Sequence, residues 1–395
     1  MIYMYNITYK KCDISIIFKF NITQKTKRRR VNMKKVLGLS MALISAVSLT
    51  ACGGGTAPTT AAATTGAATG AASSEAQEQG QDGGAAASGN WDNYELKLAT
   101  NLAEDHVACQ GYYAFAEAVE KATDGHVKVT VYSGEQLGKE SDVTSSISMG
   151  AGTCDFTMCG PSELSKYDPT FSLFDAPYVF NDGEAMTAFA NSDEVQKLYD
   201  GLAASSNLRV LGMYYYGSRE VTVKGFPATE PSGLKGCKLR VPDSEMAMAY
   251  GAALGATPTV MSLGEVYMGI QQGVVDGQEN PLPTIDANAF YEVCDNLLMT
   301  DHVIAAVTYT MDESVWQSMP ADLQEIVRSC VYESCESITQ AIQDQEAGLV
   351  DTMKEKGMNV IEVNKDAFKE NVQGIYEKYA DTWGDWLSIA QSYNK

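Results

Sequence analysis

From about residue 91 onward the chain switches repeatedly between two hydrophobic periods. Tyr94, Leu96 and Leu98 recur at every second position, the pattern of a half-buried strand over Tyr94–Thr100. Tyr112, Phe115, Ala116, Val119 and Ala122 then follow at helical spacing, and Asp124-Gly125 ends that helix. HVKVTVYSG returns to alternation, so the region opens with a strand, helix, strand unit. The same reading predicts helices near 141–150 and 184–203, long helical stretches over 321–357 and 366–392, and strands at CDFTMCG and LRVLGMYYYG. Between Lys235 and Pro283 it predicts a strand ending at LRVPDS, a helix from Ser244 to Leu254, a TPTVM strand, a helix from Ser262 to Gln272 and a VVDGQ strand. This alternation specifies an α/β fold with a largely parallel sheet. Open sheets of that kind bind ligands in crevices outside the carboxyl ends of their strands.

The first ninety residues follow neither period. Met33 begins a stretch with Lys34 and Lys35 ahead of the apolar run VLGLSMALISAVSL, closed by LTAC at Cys52. That is the layout of a lipoprotein signal over 33–51 with Cys52 as the lipidated residue. The run is too short to span a bilayer, which takes about twenty residues. Residues 1–32 place KRRR and several aromatics far ahead of it and read as a mis-assigned N-terminal extension. Residues 52–90 are almost wholly Ala, Thr, Gly, Ser, Gln and Glu, a composition that cannot bury a core and predicts a disordered tether. The folded part is expected over 91–395.

Beyond the signal the chain carries 19 Lys and Arg against 49 Asp and Glu. Such acidity excludes nucleic acid, whose binders need basic faces. It also leaves a lipid as the means of membrane attachment. Only four arginines remain, Arg209, Arg219, Arg240 and Arg328, so each one is informative. Arginine offers a planar fork of donors with a permanent charge, suited to a desolvated carboxylate. Seven cysteines remain apart from Cys12 and Cys52, with no C-x-x-C spacing. Cys154 and Cys159 read as small buried hydrophobes, a Cys330–Cys335 bridge within one helix is geometrically poor, and the usage fits a reducing habitat. No cofactor or metal is expected.

LKGCKLRVP, GATPTVMSLGEVYMGIQQGVVDGQENP and YGSREVTVKGFPATEPSGL, with their mutual spacing, resemble the extracytoplasmic solute receptors of TRAP transporters. Weaker similarity runs from about Tyr94 to Gly384 and includes ATNLAEDHV and SGEQLGKESDVTSSISMGAGTCDFTMC. The resemblance implies a periplasmic-binding-protein-like fold of two lobes, with a ligand cleft between them and a long hinge-spanning helix. Lobe 1 is expected over about 93–216 and 305–344, and lobe 2 over about 217–304 and 345–395. It also implies a monomer that captures a small carboxylate and delivers it to the small and large membrane subunits of a TRAP permease, driven by an ion gradient.

Arg240 follows a strand and precedes Pro242, which keeps the segment extended; the resemblance makes it the family's principal carboxylate-binding arginine. Arg219 in YGSRE resembles a second arginine of the family, with Glu220 beside it as a neutralising candidate. Asn280 in DGQENP can donate to a carboxylate and accept from a hydroxyl, and is equally a turn residue before Pro281. Pro281 and Pro283 are expected to start the next helix. Asn101, Asp105 and His106 leave the first strand at its carboxyl end, where each fits a cleft role or a loop or helix cap. Tyr216, with Tyr214 and Tyr215, is a candidate for the pocket wall or the core. Glu140 and Asp142 suit the start of a helix and, by resemblance, the polar end of the pocket. Leu263 stands where many family members have an aromatic ring.

Two other function classes compete with transport. A secreted hydrolase lacks support, with no G-x-S-x-G or H-E-x-x-H motif and three histidines in unrelated contexts. A sensory receptor that presents its liganded form to a membrane kinase is not separable from a transport receptor by sequence.

Overall fold

In the computed structural model, which describes residues 91–395, the first alternating segment becomes strand β1 (Tyr94–Ala99). Helix Val107–Ala122 carries the chain to β2 (Val127–Tyr132), parallel to β1, and β3 (Phe156–Cys159) lies parallel on the other side of β1. These strands and helices alternate because the apolar period alternates.

The centre of the sheet departs from the expectation of a largely parallel arrangement. β4 (Leu208–Val223) and β9 (Ile304–Asp312) pair antiparallel with each other, and β9 is antiparallel to β3. Beyond Ser218, β4 leaves β9 and pairs antiparallel with β7 (Gly277–Pro281) and β8 (Asn296–Met299). β5 (Lys238–Val241) is parallel to both β7 and β6 (Thr257–Val260), and β10 (Asn359–Glu362) is parallel to β8. The strand order is therefore β2-β1-β3-β9-β4-β7-β5-β6, with β8 and β10 branching from β4. Two conventional parallel units are joined by strands that run out and back between them, and a return strand is necessarily antiparallel to the one that left. The result is a two-lobed α/β fold.

Local chemistry explains where element boundaries differ from the pattern. The helix expected over 184–203 is two, Gly183–Ala190 and Asp193–Ser206, because Ser192 Oγ accepts from Val195 N–H and starts the second. The stretch 366–392 is three helices, Lys365–Asn371, Gln373–Trp383 and Trp386–Gln391, with Gly384 at φ 51° closing the second. The helix expected from Ser262 begins as a 3-10 turn over Leu263–Glu265 before the α-helix Val266–Gln271. The strand expected at VVDGQ starts only at Gly277 and runs through Asn280 to Pro281. Helix Leu282–Ala287 follows, with Pro281 at its cap and Pro283 in its first turn, as prolines favour.

Helix Ala321–Glu355, 35 residues long, packs on β4 and on helix Val107–Ala122. At that crossing Gly111 meets Ile338 so closely that a side chain on Gly111 would overlap it. Phe115, Phe156, Tyr112, Tyr214 and Tyr309 form an edge-to-face cluster beneath the β4–β9 pair. Each fully buried ring of this kind contributes roughly 2 kcal/mol. Cys109, Cys154, Cys159, Cys237, Cys294, Cys330 and Cys335 are all buried and in no disulfide among the described residues, Cys154 and Cys159 in the core as expected. Among the described residues no helix is long and apolar enough to cross a membrane. The signal segment, the tether and Cys52 lie outside the described residues.

Candidate functional site

β4, β7 and β5 lie side by side, and their register sets the geometry of the site. Arg219 stands opposite Pro281, and Arg240 is level with Gln278. Alternation puts Gln278 and Asn280 on one face of β7 and Glu279 on the other. Arg219, diagonal to Glu279, donates to both of its carboxylate oxygens through Nε and Nη2. Nη2 also donates to the Glu279 carbonyl at 2.9 Å and to Asn280 Oδ1 at 3.2 Å. Tyr250 OH and His302 Nε2 complete the shell of Glu279 at 3.1 and 3.2 Å. Burial opposes ionisation of this carboxyl, but Arg219 and His302 outweigh it and hold its pKa down at about 2. Arg219 is raised in turn: burial resists its charge and Glu279 more than restores it.

Arg240 is different. Its Nε donates to the Met261 carbonyl at 2.8 Å, and among the described residues Nη1 and Nη2 have no hydrogen-bond acceptor. The residue is only 5% exposed. Burial pulls the guanidinium below its ordinary pKa and Arg219 adds to this, while Glu279 partly opposes it. A buried cation with an empty donor fork is costly unless something completes it.

What the fork faces is a cleft of two adjoining cavities, about 260 and 80 Å³. Asn101, Glu140, Ser162, Arg240, Pro242 and Leu263 line both, and Arg219, Asn280, Tyr216 and Asp175 line the smaller. The structure thus brings Arg240, Asn280, Arg219, Asn101 and Tyr216 around one space. Asn280 Nδ2 donates to Gln278 Oε1 at 2.6 Å, and Tyr216 OH shares a hydrogen bond with Thr284 Oγ1 at 2.5 Å. On the facing wall Asn101 Nδ2 donates to Glu140 Oε2 at 2.5 Å, and the Gly160 N–H donates to Glu140 Oε1 at 3.0 Å. Glu140 keeps some surface open to the cavity, yet it lies deep enough for burial, helped by Glu163, to push its pKa up to about 7. Asp175 accepts from Ser162 Oγ at 2.7 Å and is pushed up to about 6 by burial.

Other candidates lie elsewhere. His106 caps helix Val107–Ala122, its Nδ1 accepting from Ala108 N–H, while Nε2 meets Thr284 Oγ1 at 3.2 Å. Burial lowers its pKa to about 3, so it stays neutral and cannot read ligand charge. Asp105 and Asp142 are exposed and line neither cavity. Tyr214 and Tyr215 are core residues, bonded to Tyr112 OH and to Glu346 Oε2 at 2.9 Å. Glu220 does not neutralise Arg219; it accepts the Asp301 N–H at 2.9 Å instead. Sequence reasoning missed Glu279, Tyr250, His302 and Asp175. Glu279 alone carried a signal, as the one acid between two amides in DGQENP.

Residues 98–382 match the family model of bacterial extracellular solute-binding proteins, family 7. The chain belongs to this family. The sialic acid-binding periplasmic protein SiaP of Vibrio cholerae is 32% identical over 289 residues, covering 73% of this chain and 89% of its own length. A TRAP periplasmic solute-binding protein of Roseobacter denitrificans, solved with bound L-galactonate, superposes with a TM-score of 0.71 at 29% identity, over 76% of this chain and 99% of its own. Another from the same organism, with bound 3-deoxy-D-manno-oct-2-ulosonic acid, gives 0.73 at 27% identity, over 77% and 100%. This chain is accordingly a two-lobed extracytoplasmic TRAP solute-binding protein and not an enzyme.

Proposed function

We propose that this receptor captures a small organic acid in the cleft, with Arg240 as the bidentate partner of the ligand carboxylate and Arg219, Asn280, Asn101 and Tyr216 completing the wall. The observation that carries this reading is the buried Arg240 fork without a protein acceptor. Relatives solved with sugar acids support it. The lobes, divided near residue 217 on β4 and near 304 on β9 and again at about 344 on the long helix, close around the ligand and release it to the two membrane subunits of a TRAP permease. Lipid on Cys52 holds the protein at the membrane through the 52–90 tether; Cys52→Ala should release it to the medium or leave an unprocessed precursor.

Calorimetric titration tests the site, using whichever acid most raises the melting temperature in a screen of sugar acids, hydroxy acids and dicarboxylates. Arg240→Ala should lose about 30-fold to several thousand-fold in affinity, the cost of removing one member of a buried charge pair. Arg240→Lys keeps the charge without the fork and should stay well below wild type. Arg328→Ala, whose guanidinium stacks 5.1 Å over Trp316, should bind normally. Wild-type binding by Arg240→Ala removes the site.

A further inference from the structure

We infer that the cleft selects a carboxylate with one negative charge and several hydroxyl groups over a dicarboxylate, and that Glu140 is the specificity-determining residue. This rests on the carboxylate reading above and goes on to name the ligand class.

The charges around the cavity are nearly all committed. Arg219 is matched by Glu279. Lys166 reaches Glu163 and Asp243, each at 2.8 Å, and Lys139 at the rim reaches Glu265 at 3.0 Å. Among the described lining residues this leaves one uncommitted cation, Arg240, and that cation accounts for one carboxylate. The wall across from it carries Glu140 and Asp175, neither of which has a cationic partner within ion-pair distance.

Their existing bonds show what they are placed to do. Glu140 accepts from Asn101 and Gly160, and Asp175 accepts from Ser162, so both are oriented as acceptors. An ionised carboxylate has about four lone-pair sites, so each retains capacity for a ligand hydroxyl. Hydroxyls donate to such a wall at no cost in charge. A second ligand carboxylate would be an anion against anions in a closed space, where like-charge juxtaposition is strongly unfavourable. That cost is relieved only if Glu140 or the ligand takes up a proton. Burial already raises both acids toward neutrality, so the wall resists even the charge it has. The groups that face Glu140 are Glu163 and Lys166 from the segment after β3, Arg240 from β5, and Glu135 and Lys139 at the rim. Lys166 and Lys139 are held by acids, so they do not offset a second ligand charge.

The test is calorimetric titration of wild type and Glu140→Gln with three hydroxylated monocarboxylates, D-galactonate, D-gluconate and D-erythronate, and two dicarboxylates, succinate and fumarate, at pH 8 and pH 5.5. At pH 8 the best hydroxy acid should bind wild type on the order of a hundredfold tighter than either dicarboxylate. Glu140→Gln should shrink that ratio to about tenfold or less by tightening the dicarboxylates. Lowering the pH to 5.5 should shrink the wild-type ratio more than the variant's, because Asp175 and the ligand's second carboxyl titrate in both proteins and Glu140 only in wild type, a comparison that needs no folded variant for its first half. Titration in buffers of different ionisation enthalpy should show greater proton uptake with succinate by wild type than by the variant. A dicarboxylate that binds wild type at pH 8 as tightly as the best hydroxy acid overturns the inference while the carboxylate reading stands. So does an identical ratio in Glu140→Gln. Failure of every carboxylate to bind, with a neutral sugar binding instead, overturns the carboxylate reading itself.

Discussion

Arg219 grips Glu279 through Nε and Nη2 across adjacent strands, and this pairing is why the second cleft arginine, Arg240, is the one left for a ligand. Removing Glu279 should therefore do more than unbalance a fold. Glu279→Ala leaves Arg219, 8% exposed, as a buried cation without its partner, a loss that typically costs about 3–5 kcal/mol. The double variant Arg219→Ala/Glu279→Ala should be less destabilised than the sum of the single changes, as a double-mutant cycle in urea unfolding would show. Additive losses would mean that the two side chains are energetically independent.

The same pair sets the acid limb of stability. Glu279 has a folded pKa of about 2 against an ordinary value of 4.5. The unfolded chain therefore binds the extra proton first. The contribution is complete above pH 4.5 and is lost as pH falls from there toward 2, and a depression of this size corresponds to roughly 3 kcal/mol. Glu140 works in the opposite direction, since its folded pKa is raised to about 7 and its contribution is lost as pH rises through the interval from 4.5 to 7. Stability measured from pH 3 to 8 should peak in mildly acidic solution. Glu140→Gln should flatten the side above the peak, and Glu279→Gln the side below it.

The pairing of β4 with β9 shifts register between Tyr215 and Gly217, two residues before β4 turns to β7. Gly217 has φ 123°, and a Cβ there would lie 2.5 Å from Pro281 Cβ and 2.7 Å from Glu346 Oε1. The next residue, Ser218, donates its N–H to Glu346 Oε1 at 3.1 Å and its Oγ to Asp301 Oδ1 at 2.7 Å. The crossing strand is thus tied to the long helix where the backbone needs glycine. Gly217→Ala should lower stability by about 1–3 kcal/mol from backbone strain alone and weaken ligand binding as well. Gly201→Ala, where an added Cβ meets nothing within 4 Å, is the control and should be neutral or mildly stabilising. Equal melting temperatures for the two variants would mean that the backbone at 217 does not require glycine.

The cleft wall on β5 and β7 was legible in the sequence because Arg240 and Asn280 sit in long motifs whose residues are adjacent in space as well as in chain. The antiparallel centre was not, since β9 reads as one more apolar run, and nothing in IAAVTYTMD says whether its partner runs with it or against it. Glu279 was overlooked for a related reason. Its partners Arg219, Tyr250 and His302 come from three separate segments, and a buried acid is recognisable only when the cation that balances it is in view. Asp175 stands in a 3-10 turn that hydrophobic period does not report.

Lys166 and Asp243 join the β3 side of the cleft to the β5 side at 2.8 Å, and Lys139 with Glu265 does the same at 3.0 Å. Asp243, Lys139 and Glu265 are exposed, so these pairs add little to folding and are screened by salt. Their place across the mouth gives them another effect, because on the proposed lobe division opening the cleft would separate both pairs and leave each lobe intact. Raising salt from about 0.01 to about 1 M shortens the screening length from roughly 30 to 3 Å. Ligand release measured by stopped flow should therefore quicken with salt in wild type. The double variant Lys139→Ala/Asp243→Ala, which leaves Lys166 paired with buried Glu163, should release faster than wild type at low salt and respond less to added salt, with its melting temperature nearly unchanged. Small-angle scattering should then show a more expanded unliganded form in the double variant. A release rate that follows salt identically in both proteins would mean that the closed cleft is held by the ligand and Arg240 alone.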